Sequence, residues 1–446
     1  MARSVAEHAA LAAALVGPSG VERRALGSCA GRVLAEPVHA MDDLPAFDNS
    51  AMNGYALRVA DIDTAGMPVA AEIPAGHGVP PPLAPGTAHR IMTGAPLPRG
   101  ADSVVPVGLT DGGRDIVRVT GPGRSPRAGT SRRRGEGIAA GEVVLPAGTR
   151  MGPAQLAAAA AADATALAVH RRLRVGVLSA GSELEAVGRT RRHGQIHDTN
   201  GILLVTALAE AGAQPVQLPL VADRPGELAA LLARYLGELD LLVTSGGISA
   251  GDHEVVKDTL GPRGVGFGHL ALKPGGAQGL GILDGTPVIA LPGNPVACWV
   301  SFELFVRPAV RAAMGLPAGR PRRSVRSGVA LRSRAGRWEY VPTVLDDAVD
   351  EARPVDAPGP HSYRALAGVN CLREFDASGR GARAGDPVDV LLLATGEEEP
   401  LVRAGERPSP SSAAGAHWVR SRSARGTACS DGRDRATPTG PRSRSR

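Results

Sequence analysis

Between about Arg171 and Leu316, short apolar runs alternate with stretches of helical periodicity, a rhythm that predicts strands followed by helices. Leu173 to Ser179, Val216 to Val221, Asp240 to Thr244 and Val288 to Leu291 read as buried strands. Gly201 to Ala211 reads as a helix capped by Thr199 or Asn200 and ended at Gly212. Pro225 to Leu236 reads as another, with proline in its first turn. Asp284-Gly285 has the chemistry of a hairpin return into the last strand. A final apolar helix, Val296 to Val310, starts behind Asn294 as N-cap and Pro295 at the first helical position. This alternation means a mostly parallel sheet flanked by helices.

The flanks have a different grain. Asp42 to Gly148 is rich in glycine, proline and short valine runs, which predicts a small β domain. Gly328 to Leu393 predicts short strands at Val329 to Ser333, Glu339 to Val344 and Val388 to Leu393. Near the N-terminus, Ser4 and Glu7 have capping-box spacing ahead of the apolar stretch Ala9 to Val16, which reads as an amphipathic helix rather than a signal peptide. Met151 to Val169 is mostly alanine and contains Asp163, so no segment has the sustained hydrophobicity of a membrane span.

At 446 residues the chain exceeds one hydrophobic core, and two to four domains are expected. Its four cysteines lie far apart with no CxxC pair, which indicates neither zinc nor a disulfide framework and fits a reducing, cytoplasmic compartment. The net charge of +6 is misleading. Residues 400–446 hold ten arginines against three acids, a balance of +7, so the rest of the chain is near neutral at about −1. The basic character belongs to a Ser/Arg/Gly/Pro-rich tail, read as disordered, and implies neither a nucleic-acid nor a membrane partner. Only two of the fifty basic residues are lysines, Lys257 and Lys273, and there are only five asparagines. A retained lysine points to a site that needs a compact charge rather than a planar fork.

In such a sheet ligands bind beyond the carboxyl ends of the strands, where the unusual residues of this chain fall. Thr244-Ser245-Gly246-Gly247-Ile248-Ser249 leads through Asp252 to a helix expected to begin at His253, with Glu254 and Lys257 on one face; glycine N–H groups and a helix N-terminus suit phosphate. Pro292-Gly293-Asn294-Pro295 follows another strand and alone would pass for a capping device. Lys273 sits on a Pro/Gly turn where an ordered ammonium pairs with an oxyanion. Glu183 follows the first strand, and Asp198 lies ahead of the first helix; one or two carboxylates completed by substrate oxygens are what Mg²⁺ prefers, with helix capping the competing account for Asp198. In the first β region Asp48, Ser50, Asn53, Thr93, Arg134 and Glu136 lie in polar, turn-like runs, and the basic turn Arg132-Arg133-Arg134 has the reach to meet an anion on a neighbouring surface.

Taken in order, FDNSAM-GYA, TGAPLP-GAD, RRRGE, TSGG-S-GD, KPG and LPGNPV resemble the MoeA family over nearly the whole of residues 1–395. The resemblance implies an α/β multidomain protein with a central molybdopterin-binding sheet, an inserted β domain and a C-terminal β barrel. Its divisions would be 1–41 with 144–170, 42–143, 171–320, 321–396, and a basic tail 397–446. It implies a molybdopterin molybdenumtransferase, which uses adenylylated molybdopterin and molybdate, assisted by Mg²⁺, to form molybdenum cofactor and AMP. By motif, Thr244, Ser245, Gly246, Gly247, Ser249, Asp252, Pro292, Gly293, Asn294 and Pro295 would bind the molybdopterin phosphate end. Glu183 and Asp198 would hold metal, and with Lys273 and Glu254 would be catalytic. A homodimer is implied, with Asp48, Ser50, Asn53, Thr93, Arg134 and Glu136 of one copy completing the other's site. The molybdopterin adenylyltransferase and apo-molybdoenzymes are its expected partners. Departures from the family cluster at charged positions: Asn53 and Gly137 replace usual aspartates, Gly276 a lysine, and Glu254 a shorter aspartate. They motivate the runner-up, a weakened carrier or scaffold like gephyrin. A preceding-step adenylyltransferase would leave residues 40–148 and 328–395 unexplained.

Overall fold

The computed structural model describes residues 3–76, 78–120, 130–249, 251, 254–355 and 363–393. The expected basic tail and Cys429 therefore lie outside the described residues, as do Asp252 and His253.

Six strands form the central sheet in the order Gln214–Gln217, Arg174–Ser179, Leu241–Ser245, Thr286–Leu291, Ala277–Leu283, Val265–His269. The first four are parallel, and Ala277–Leu283 runs antiparallel to both its neighbours. The expected hairpin return is there, with Asp284 and Gly285 both at positive φ, the backbone that a two-residue turn requires. The strands are apolar on both faces. Val175, Val177, Leu241, Val243, Ile289 and Leu291 pack with the helices Thr199–Glu210 and Pro295–Ser301. Leu178, Leu242, Val288 and Ala290 pack with Pro225–Tyr235 and Val255–Leu260. The expected strand Val216 to Val221 is instead Gln214–Gln217, with a lone bridge from Val221 to Ala180. Pro219, which has no N–H to give to a ladder, interrupts the run.

The apolar helix after Asn294 is longer than its pattern predicts and is not uniform. Pro295–Ser301 passes through a π turn at Phe302–Val306 into Arg307–Ala313. Pro308 explains the irregularity: it lacks an N–H, and its ring crowds the carbonyl four residues back, which a widened turn relieves. The N-terminal helix Val5–Val16 carries the expected Ser4/Glu7 capping box and docks on this rod, with His8 edge-on to Phe305 at 4.6 Å between ring centroids. Burial, then the Arg3 cation, push the His8 imidazole down to about 4 from an ordinary 6.5. The unfolded chain thus takes up this proton below pH 6.5, whereas the folded one resists until about 4. Stability present above pH 6.5 is accordingly lost as pH falls toward 4, by up to about 3 kcal/mol. Urea midpoints measured at pH 7 and pH 5 should fall for the wild type and stay nearly level for His8→Leu.

On leaving that helix the chain forms a small layer in which Val21–Ala25 pairs with Ala166–His170 and Val38–His39 with Val143–Leu145. Between these lies a five-stranded sheet ordered Ser103–Pro106, Gly54–Leu57, Ala88–Ile91, Met67–Ile73, Ile116–Val117. At the other end, Trp338–Asp346, Glu351–Pro354, Arg322–Ser327, Pro387–Leu392 and Cys371–Phe375 close on themselves as a five-stranded barrel. Its first strand is Arg322–Ser327 rather than the expected Val329 to Ser333, of which only Leu331 makes a bridge, to Ala382. The real strand turns Val325 and Ser327 inward and its arginines outward, where Arg322 meets Glu374 and Arg323 meets Asp347 and Asp350. Cys29, Cys298 and Cys371 are buried free thiols, and no helix among the described residues is long and apolar enough to cross a membrane.

Candidate active site

A cavity of about 490 Å³ opens beyond the carboxyl ends of Arg174–Ser179, Leu241–Ser245 and Thr286–Leu291. Each strand runs into a tight turn, and the three turns touch. A Cβ on Gly246 would lie 2.5 Å from the Ala180 carbonyl oxygen, and one on Gly293 would lie 3.2 Å from the Gly246 Cα. Only glycine lets Gly246, at φ +87°, hold this approach. Asn200, on the first turn of Thr199–Glu210, ties two of the turns together: its Nδ2 donates to Ser245 Oγ at 2.7 Å and to the Gly293 carbonyl at 2.8 Å.

Strand alternation decides which predicted residues reach the wall. Ser245 faces the cavity, whereas Thr244 shares a face with its register partners Leu178 and Ala290 and is not part of the lining. Ser245, Gly246, Gly247, Ser249, Pro292, Gly293, Asn294 and Pro295 all line it. Asn294 is the expected N-cap, accepting from Ala297 N at 3.1 Å. Beneath Ser245 the wholly buried Cys298 thiol is pushed up to about 12 by desolvation, so it is a neutral packing group.

Four carboxylates line the cavity: Glu183, Asp198, Asp223 and Glu254. Asp198 is 5 % exposed, and its Oδ1 accepts from Gly201 N at 2.8 Å. It therefore caps the helix, as the competing account for it expected, in place of Thr199 or Asn200, since the helix starts at Thr199. Asp223 escaped the sequence reading. It exchanges two hydrogen bonds with Ser182, accepting from Ser182 N and donating its own N–H to Ser182 Oγ, both at 2.9 Å. The available signal was its position between a strand end and the proline-led helix Pro225–Tyr235. Glu254 precedes the helix Val255–Leu260, which begins two residues later than expected and leaves only six residues after the glycine-rich turn. Its Oε1 accepts from Gly251 N at 3.3 Å.

Neither lysine meets these acids on the wall: Lys257 and Lys273 are exposed and outside the lining, and no lysine or arginine lines the cavity among the described residues. The absence of a second cation on the Lys273 turn has a steric counterpart, for a Cβ on Gly276 would lie 2.4 Å from the His269 ring. Three wall residues also present buried polar atoms with no hydrogen-bond partner, namely Ser179 Oγ, His197 Nδ1 and Asn200 Oδ1.

The residues expected to serve a second copy gather away from this cavity. Strand Asn49–Ser50 pairs with Ser131–Arg132. Asp48 accepts from Arg134 N at 2.7 Å, and Arg134 Nε reaches Asp43 at 2.6 Å. Asn53 Oδ1 accepts from Thr93 N at 2.9 Å, a bond an aspartate would make as well. Glu136 accepts from Arg133 N, and Ser50 Oγ is buried against Met52 O. Arg132, Arg133 and Arg134 are exposed, as are the nearby Phe47, Met52 and Met92, whereas Ser50 is buried.

Comparison with known proteins covers most of the chain. Residues 3–162 match the MoeA N-terminal region (domain I and II), 176–312 a probable molybdopterin binding domain, and 324–393 the MoeA C-terminal region (domain IV). Molybdopterin molybdenumtransferase 2 of Mycobacterium tuberculosis is 41% identical over 413 residues, spanning 89% of this chain and 98% of that protein. Molybdopterin molybdenumtransferase of Haemophilus influenzae is 31% identical over 384 residues, spanning 84% and 94%. Both bear the transferase name rather than that of a carrier or scaffold. A crystal structure of a molybdopterin biosynthesis MoeA protein from a Pyrococcus species superposes with a TM-score of 0.77 at 26% identity, covering 89% of this chain and all of that one.

Proposed function

We propose, from the premise that this chain belongs to the MoeA family, that it is a molybdopterin molybdenumtransferase, passing molybdenum from molybdate to adenylylated molybdopterin with release of AMP. The observation that carries the reading is electrostatic. Among the described residues, four carboxylates and no lysine or arginine line a cavity whose turns offer glycine N–H groups and unpartnered polar atoms. Alone, such a cavity repels a phosphorylated ligand, so a cation must enter with it.

Mg²⁺ fits the residues present. Among the described residues no three His, Cys, Asp or Glu side chains are placed to hold a metal ion together. Mg²⁺ asks for less, taking one or two carboxylates and completing its shell with substrate oxygens and water. Glu183 and Asp198 would hold it, and when bound it would neutralise the oxygens of the phosphoanhydride. The rest falls to the chain's own groups. Ser245, Ser249 and the backbone of Gly246, Gly247 and Gly293 hold the terminal phosphate of molybdopterin. Asn294 fixes the third turn by capping its helix. Glu254 borders the same space, and Lys273, exposed and outside the lining, draws in molybdate.

In the same reading the protein is a cytoplasmic homodimer. Asp48, Asn53, Thr93, Arg134 and Glu136 of a second copy close the cavity and bring arginines to the acids. The four domains keep the divisions expected from the sequence, and the adenylyltransferase that makes the substrate and the apo-enzymes that receive the product are transient partners. Purified protein given adenylylated molybdopterin should release AMP only with both molybdate and Mg²⁺ present. Binding of the pterin without AMP release would overturn the assignment.

A further inference from the structure

The cavity has one wall contributed from far along the chain. Tyr363 opens the short helix Tyr363–Gly368, which lies between two strands of the C-terminal barrel. Leu366, three residues on and so on the same helical face, packs against the main apolar core and anchors that face on the α/β layer. Tyr363, one turn earlier, extends past the anchor to the cavity, with its hydroxyl 3.5 Å from Thr199 Oγ1. Its side chain is 51% exposed, so much of the ring is open rather than packed.

This is unusual in a chain with only three tryptophans, four tyrosines and five phenylalanines. Among the described residues Tyr363 and His197 supply the only aromatic rings of the lining, which is otherwise small, aliphatic, amide-bearing or acidic. An open ring at a cavity edge, held by an anchored helix turn, offers a flat, sequence-distant surface for another flat ring. We infer that Tyr363 is a binding residue for a planar heterocycle, stacking on the pterin or the adenine of the substrate. The inference rests on the function proposed above and adds a subsite to it.

Equilibrium binding of two separate probes, AMP and molybdopterin, to wild-type protein, Tyr363→Phe and Tyr363→Leu tests it. Stacking needs an aromatic face and not the hydroxyl, so Phe should keep wild-type affinity while Leu loses roughly tenfold for one probe. Loss for AMP alone identifies adenine as the stacked ring, and loss for molybdopterin alone identifies the pterin. Thermal unfolding should be alike for all three proteins because the side chain is half exposed. Unchanged affinity of Tyr363→Leu for both probes overturns the subsite and leaves the function standing. Failure of the wild type to bind either probe overturns both.

Discussion

Asp198→Asn should fold with wild-type stability and lose molybdate-dependent AMP release by roughly a hundredfold, the scale of removing one preorganised electrostatic group. The substitution separates the two tasks that the structure lays on one side chain. As a cap, Asp198 accepts from Gly201 N, and asparagine is an equally good N-cap that keeps this bond. As a cavity wall, it presents a buried negative charge that asparagine lacks. Asp198→Ala removes both, so it should lose the same activity and in addition about 1 kcal/mol of stability. Thermal unfolding and AMP release measured on both variants decide the matter. If Asp198→Asn turns over like the wild type while Asp198→Ala is merely less stable, the carboxylate is a helix cap and the metal must be held elsewhere.

The dual role of Asp198 also shows where sequence reading stops. Pattern alone located the parallel strands, because Leu173 to Ser179 and Val288 to Leu291 are apolar on both faces and glycine, asparagine and proline mark their ends. It located the turns that form the cavity, because the residues permitting tight approach, Gly246 and Gly293, stand immediately after those strands. Which side chain of a polar run caps a helix is settled by one or two torsion angles, and so Asp198 rather than Thr199 took the position. Arg322–Ser327 was hidden because its outward arginines outweigh its two inward residues in any local count of apolarity. Asp223 and Tyr363 were invisible for a different reason. Each reaches the cavity through long-range docking, Asp223 against Ser182 forty-one residues away and Tyr363 against Thr199 at a separation of 164. Neither distance leaves a periodic trace. The positions of Lys257 and Lys273 outside the wall belong to the same class, since a motif names a residue without saying which way its turn faces.

The proposed pairing of one copy's acidic cavity with the arginine run of a second copy leads to the largest recovery of activity that can be tested. Arg134 belongs to the exposed run Arg132-Arg133-Arg134, and its side chain, 64% exposed, is held among the described residues by an ion pair to Asp43. Such a pair contributes little to folding, so Arg134→Ala should fold normally. If the arginine serves the cavity of a second copy, Arg134→Ala should be nearly inactive alone, as should Asp198→Asn. The two defects then lie in different halves of each composite site. In a mixed dimer one site combines both lesions, while the other takes its acidic wall from the Arg134→Ala chain and its Arg134 from the Asp198→Asn chain, and is intact. Random exchange of equal amounts makes half the dimers mixed, so activity should rise to about a quarter of the wild-type level. The rise should follow the rate of subunit exchange and vanish when exchange is blocked by crosslinking each parent beforehand. A mixture that stays at the sum of its parents while mass measurement shows mixed dimers would place both residues in one chain's site. A protein that remains monomeric at assay concentration would remove the second copy altogether, and with it a source of positive charge that the lining, among the described residues, does not supply.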